Sequence, residues 1–121
     1  MSTRTQIKVK GSPVYIYKHH DGYPDYILKV LQPMLKKHLE ERGNDIEYAV
    51  ANIMKVFAIE EYDLFKEQKM AGYGVGIELH GDIDYLYLVD LNEKSIIVQR
   101  PIYKEFKIQG FKVYKTVSII N

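Results

Sequence analysis

The chain lacks cysteine and tryptophan entirely, and proline is sparse at four of 121 residues. Without cysteine there are no disulfides, no thiolate metal sites and no thiol nucleophile. That composition fits a reducing compartment, so a cytoplasmic location is expected. No apolar run approaches the length of a membrane span, so no membrane partner is expected. Residues 1–11 show no apolar segment of the secretory kind, which points to an intracellular protein. Nucleophile-elbow and phosphate-loop lysine motifs are also missing. With no linker, low-complexity stretch or repeat, the whole of 1–121 reads as a single domain.

Tyrosine is abundant, with eleven residues, and suits half-buried sheet surfaces where the ring is dry and the hydroxyl wet. Net charge is only +1, yet it is unevenly placed. Residues 1–20 carry Arg4, Lys8, Lys10 and Lys18 and no acid, while residues 100–121 carry Arg100, Lys104, Lys107, Lys112 and Lys115 against Glu105. The acids crowd the middle. Should the two ends lie side by side in one sheet, they would form a basic stripe suited to nucleic acid, with Lys107, Lys112 and Lys115 as its contacts. A mixed, solvated exterior is the plainer reading of the same residues.

Periodicity predicts an α+β fold, an antiparallel or mixed sheet with two to three helices packed on one face. Strands are expected over 5–10 and 14–19, joined at Gly11-Ser12-Pro13. Pro24 and Asp25 open a helix that runs to Arg42 and stops at Gly43. Pro33 predicts a kink there, or two short helices meeting. Asn44 and Glu47 have capping-box spacing ahead of a second helix with Ile46, Ala49, Val50, Ile53, Met54 and Phe57 on one stripe. A third helical segment is expected over 60–69. Strands follow over 72–80 and 83–91, joined by a two-residue hairpin at Gly81-Asp82, with the second strand central and covered. A strand at 95–99 and a last hairpin, 104–108 and 111–120 turning at Gln109-Gly110, complete the sheet. The alternating Gly72, Gly74 and Gly76 precede a strand, not a helix, so they mark close packing rather than a dinucleotide fingerprint.

Two stretches concentrate chemistry: His19-His20-Asp21-Gly22-Tyr23-Pro24 and His80-Gly81-Asp82-Ile83-Asp84-Tyr85. In the first, Gly22 would take positive φ and the helix start would offer amides to an anion, beside His20 and Tyr23. Helix-start chemistry alone also accounts for Asp21, Gly22 and Pro24. In the second, hairpin chemistry accounts for Gly81 and Asp82 but not for His80, Asp84 or Tyr85. The combined His and Asp set contains donors suited to a divalent ion, but its spacing matches no metal motif, and no metal or cofactor is assigned. His38 stands alone on the first helix and reads as a histidine at the edge of the core.

The stretch from Tyr15 to Pro24, followed by a leucine-rich helix, resembles the His-x-Asp-Gly-Tyr-Pro segment of a family of small proteins from bacteriophages, prophages and archaeal viruses. Gly74 to Asp90 resembles that family's second segment, Gly-x-Gly-Ile…His-Gly-Asp-Ile-x-Tyr-x-Tyr-x-Val-Asp. The resemblance spans roughly residues 14–99 and leaves both ends without a counterpart. It implies a small protein carried by a mobile element, acting inside the host cell, and it implies no particular activity. It also implies that the paired motifs belong together.

Three functions compete on these residues. The first is a non-enzymatic binding module in which His20, Asp21, Tyr23, His80, Asp82, Asp84 and Tyr85 line one pocket or interface for a nucleotide, a nucleic acid or a host protein. The second is a small metal-dependent hydrolase or nuclease built on the His and Asp set. The third is a structural or assembly protein whose sheet edges pair with other copies. The first is favoured, because no acid–base pair has a defined spacing. All three depend on the two motifs meeting in space.

Overall fold

A computed structural model describes residues 2–64 and 71–121. Its elements are β1 (Thr5–Val9), β2 (Tyr15–Lys18), α1 (Pro24–Arg42), α2 (Ile46–Leu64), β3 (Tyr73–Gly76), β4 (Tyr85–Asp90), β5 (Ser95–Lys104) and β6 (Lys107–Ser118). The expected α+β class is observed: one six-stranded mixed sheet, ordered β3-β2-β1-β4-β5-β6, with both described helices on one face. Alternation within each strand sends Ile7, Val9, Ile16, Tyr87, Val89, Ile96 and Val98 to the helix face. There they are buried against Ile27, Leu31, Leu35, Ile53 and Phe57. Each fully buried aliphatic or aromatic side chain stabilises this layer by about 1.5–3 kcal/mol before ordering costs.

The helices follow the apolar spacing, with two corrections. Helix α1 is continuous through Pro33, which overturns the second of the two expectations there, a pair of short helices. Pro33 lies on the solvent side, where the orphaned carbonyl can be hydrated, while Leu28, Leu31 and Leu35 hold the core side across it. The expected capping box at Asn44 is replaced by Asp45, whose carboxylate accepts the Tyr48 N–H at 3.2 Å; Asn44 instead reaches Asn92 at 3.2 Å. Residues 60–64 continue α2, and 65–69 of the expected third helix lie outside the described residues. His38 is buried between the helices, 3.1 Å from the Asn52 amide.

The sheet order overturns the hairpin expected at Gly81-Asp82. Strand β3 pairs antiparallel with β2, and β4 pairs parallel with β1, so β3 and β4 run the same way and are not neighbours. Residues 77–84 must therefore carry the chain back across the sheet. Fully extended, eight residues span up to about 26 Å, enough for three strand spacings and a four-residue return. They form a strap on the open face, opposite the helices. Gln6, only 1% exposed beneath it, donates from Nε2 to the Glu78 carbonyl at 3.0 Å and accepts the His80 N–H on Oε1 at 2.9 Å. The alternating glycines do not mark close packing along β3, since a β-carbon at Gly74 or Gly76 would meet little. Only Gly72 is tight, against the Glu61 carboxylate.

The last hairpin also turns elsewhere. Its tip is Glu105-Phe106, both at positive φ (53° and 65°), four residues before the expected Gln109-Gly110. Arg100 to Lys112 overshoots the neighbouring strands and projects as a two-stranded arm. The basic N-terminal strands and this arm are separated by β4, and Lys18 is buried on the helix face, so no single stripe joins the two basic ends.

The positive φ expected at Gly22 belongs to Asp21 (59°). Gly22 is required for a different reason: a β-carbon there would lie 2.7 Å from both the Thr3 carbonyl oxygen and Thr5 Cβ. Its N–H donates to Thr3 O at 3.0 Å, and its carbonyl accepts the buried Tyr87 hydroxyl at 2.7 Å. Gly22→Ala should therefore destabilise the protein by about 1–3 kcal/mol, the usual cost of overpacking. The check is a lowered urea midpoint at constant m-value; an unchanged midpoint would mean that the loop can withdraw freely.

Candidate functional site

Parallel pairing brings the end of β2 and the starts of β1 and β4 to one end of the sheet, and the strap returns to the same place. The two sequence motifs are consequently brought to one end of the sheet, linked through Tyr17, which lies outside both. The His80 ring stacks on Tyr17 with centroids 4.3 Å apart and planes at 21°. The Tyr17 hydroxyl hydrogen-bonds His19 Nδ1 at 2.9 Å, and His19 packs edge-on against His20 at 4.8 Å. His20 Nδ1 in turn lies 2.9 Å from the Ser2 hydroxyl. Burial, followed by the nearby Asp82 charge, raises the Tyr17 pKa above its ordinary value.

The acids are largely occupied by Arg4 and the backbone. Asp84 accepts the Arg4 N–H on Oδ2 at 2.9 Å and donates its own N–H to Arg4 O at 2.8 Å. Asp82 lies 3.8 Å from the Arg4 guanidinium and 3.9 Å from His80 Nδ1. Tyr103 bonds the Ile83 carbonyl at 2.6 Å; burial first, then Asp84, raises its pKa. Arg4, Gly81, Asp82, Tyr103, Glu105 and Phe106 border a shallow cleft of about 500 Å³. Among the described residues, no three His, Asp or Glu side chains converge as metal ligands. Among the described residues the arrangement offers an exposed stacked surface, with the Tyr17 hydroxyl on the His19 imidazole.

Other candidate residues point elsewhere. Tyr85 lies on the helix face, away from His80, with the Arg100 guanidinium 5.4 Å from its ring centre and Tyr114 edge-on at 5.8 Å. Tyr23 precedes α1 with its ring 6.2 Å from Tyr26, and the helix start has no side-chain cap. Asp21 is exposed beside it. Lys18 sits over Phe57 at 4.9 Å, and burial lowers its pKa.

The arm carries the stronger electrostatic feature. On β5, Val98, Arg100, Ile102 and Lys104 share the helix-side face, and their cross-strand partners are Lys115, Lys112, Gly110 and Lys107. In a plain strand, Lys107 and Lys112, five apart, would point to opposite faces, as would Lys112 and Lys115, three apart. Two register shifts, one leaving Tyr114 without a partner and one Gln109, restore them to the same face. Bulges thus gather Arg100, Lys104, Lys107, Lys112 and Lys115 on one surface. All five are exposed, and none has a salt-bridge partner among the described residues.

Sequence reasoning named the three lysines but not Arg100, Lys104, Arg4 or Tyr17 as site residues. The even spacing of Arg100 and Lys104 was a usable signal. Tyr17 had none, because its partner arrives by way of the strap. Comparison with protein-family models, with curated proteins and with solved structures finds no match to this chain.

Gln6→Leu should release the strap. Amide exchange at residues 78–82 is expected to accelerate about tenfold or more, with a stability loss of about 1–2 kcal/mol from the two lost bonds. Unchanged exchange would assign the anchoring to the His80–Tyr17 stack.

Proposed function

We propose that the protein is a non-enzymatic nucleic-acid-binding module whose arm meets the phosphate backbone. The observation that carries this reading is the five-cation face made by two bulges. Arg100 opposite Lys112, and Lys104 opposite Lys107, are like charges directly across a strand pair, which weakens the pairing. A polyanion would turn that repulsion into attraction. From Val98 to Lys104 the face runs about 20 Å, room for roughly six phosphates of one strand at about 3.4 Å of rise each. A nucleotide alone would engage little of it. The histidine–tyrosine cluster lies at the same end of the sheet but on the open face, the reverse of the one that carries these cations.

The test is fluorescence anisotropy with labelled oligonucleotides over a salt series. With four phosphate contacts, affinity should fall about 100-fold between about 50 and about 200 mM salt. Replacing Lys107, Lys112 and Lys115 by Ala should weaken binding about tenfold or more and flatten the salt slope by about two to three contacts' worth. Absence of binding at about 50 mM salt, or a slope unaffected by the three substitutions, would overturn the proposal.

A further inference from the structure

Phe106 is 99% exposed, the most exposed large apolar side chain described, and it stands at the tip of the cationic arm. Such a residue gains nothing from folding. Its backbone is at φ 65°, following Glu105 at 53°, the two-residue geometry that favours Asn-Gly and that a β-carbon-bearing aromatic rarely takes. Phenylalanine is thus held in an unfavourable conformation with nothing packed on it. The Lys104–Lys107 pair flanks it immediately on both strands.

We infer that Phe106 is a wedge that enters the base stack of duplex DNA when the arm's cations engage the phosphates. The inference rests on the nucleic-acid reading above and adds the form of the ligand and the mode of contact. Single-strand binders line their cationic groove with several stacking rings. Here the rings on the arm's cationic face are engaged within the fold, Tyr85 beneath the Arg100 guanidinium and Tyr114 edge-on against Tyr85. Tyr103 and Phe111 lie on the opposite face, with the Tyr103 hydroxyl tied to Ile83. The aromatic contact is therefore left to the tip. Apolar wedges placed between base steps unstack them and kink the duplex by tens of degrees, and cations beside the wedge neutralise the phosphates of the opened step. Lys104 and Lys107 are placed to do this.

The absence of tryptophan makes the test direct. Phe106→Trp introduces one indole reporter at the tip, and Phe106→Ala removes the ring; both substitutions are at an exposed turn, and circular dichroism verifies the fold. With a labelled duplex of about 25 base pairs, wild type should bring the duplex ends closer in energy transfer, consistent with a kink of about 20° or more. Phe106→Trp should bend it likewise, with emission quenched about twofold or more by stacking. Phe106→Ala should keep the salt slope, lose no more than about tenfold in affinity and leave the duplex straight. An unquenched indole at saturating duplex, or bending by Phe106→Ala equal to wild type, would overturn the wedge while leaving the phosphate-binding reading intact. Equal quenching by a single strand, without bending of the duplex, would overturn the duplex assignment. A blue shift with anionic phosphatidylserine vesicles but no response to DNA would overturn both, as would failure of wild type to bind any of the oligonucleotides.

Discussion

The parallel pairing of β1 with β4 is the constraint from which the rest of the molecule follows. Two strands that point the same way cannot be joined by a tight turn. The chain therefore enters β4 from the end where β1 begins, after crossing the open face over Gln6. That crossing carries His80 onto Tyr17 and Asp84 onto the Arg4 backbone. It also places the start of β4 where the chain can leave β5 unaccompanied, so the arm overshoots at the same end. The Tyr87 hydroxyl on the Gly22 carbonyl closes the construction by locking the entry to α1 against the central strand.

Burial and solvation divide the two faces differently. The helix face is an apolar layer of aliphatic side chains with His38 and Asn52 as a polar pair between the helices. On the open face a buried amide serves in place of a hydrophobic contact, satisfying two backbone groups of the strap. Gln6 contributes less from its own burial than an aliphatic residue would, but it fixes the position of its partners, because a buried amide tolerates few alternative registers. Most of the strap's side chains stay exposed, Ile77 and Leu79 among them, whereas Ile83 is fully buried.

Much of this was legible in the chain itself. Alternation at Ile7 and Val9, helical spacing from Ile27 to Leu39, and the glycine stop at Gly43 each had one physical reading, and the described elements agree with them. The misreadings share a cause: local turn chemistry pointed one way and long-range pairing decided otherwise. Gly81-Asp82 and Gln109-Gly110 are good turn dipeptides, whereas Glu105-Phe106 is a poor one, yet the arm turns at the poor one because the cross-strand register from Ser95–Ser118 onward dictates where the strands run out. Gly22 was identified with the wrong need, positive φ instead of closeness, because the Thr3 carbonyl that crowds it is nineteen residues upstream. The His80–Tyr17 stack was not legible: the conjecture was that the two motifs would touch, and Tyr17 belongs to neither.

The unpaired Gln109 and Tyr114 tie the arm's surface chemistry to its two irregularities. Excising either one would straighten the ribbon and leave the lysines on its two sides an even number of residues apart, still on one face. A slip that drew either extra residue into the pairing would instead send part of the lysine set to the reverse side and split one field into two weaker ones. The places where the ribbon is irregular therefore matter as much as the number of its lysines.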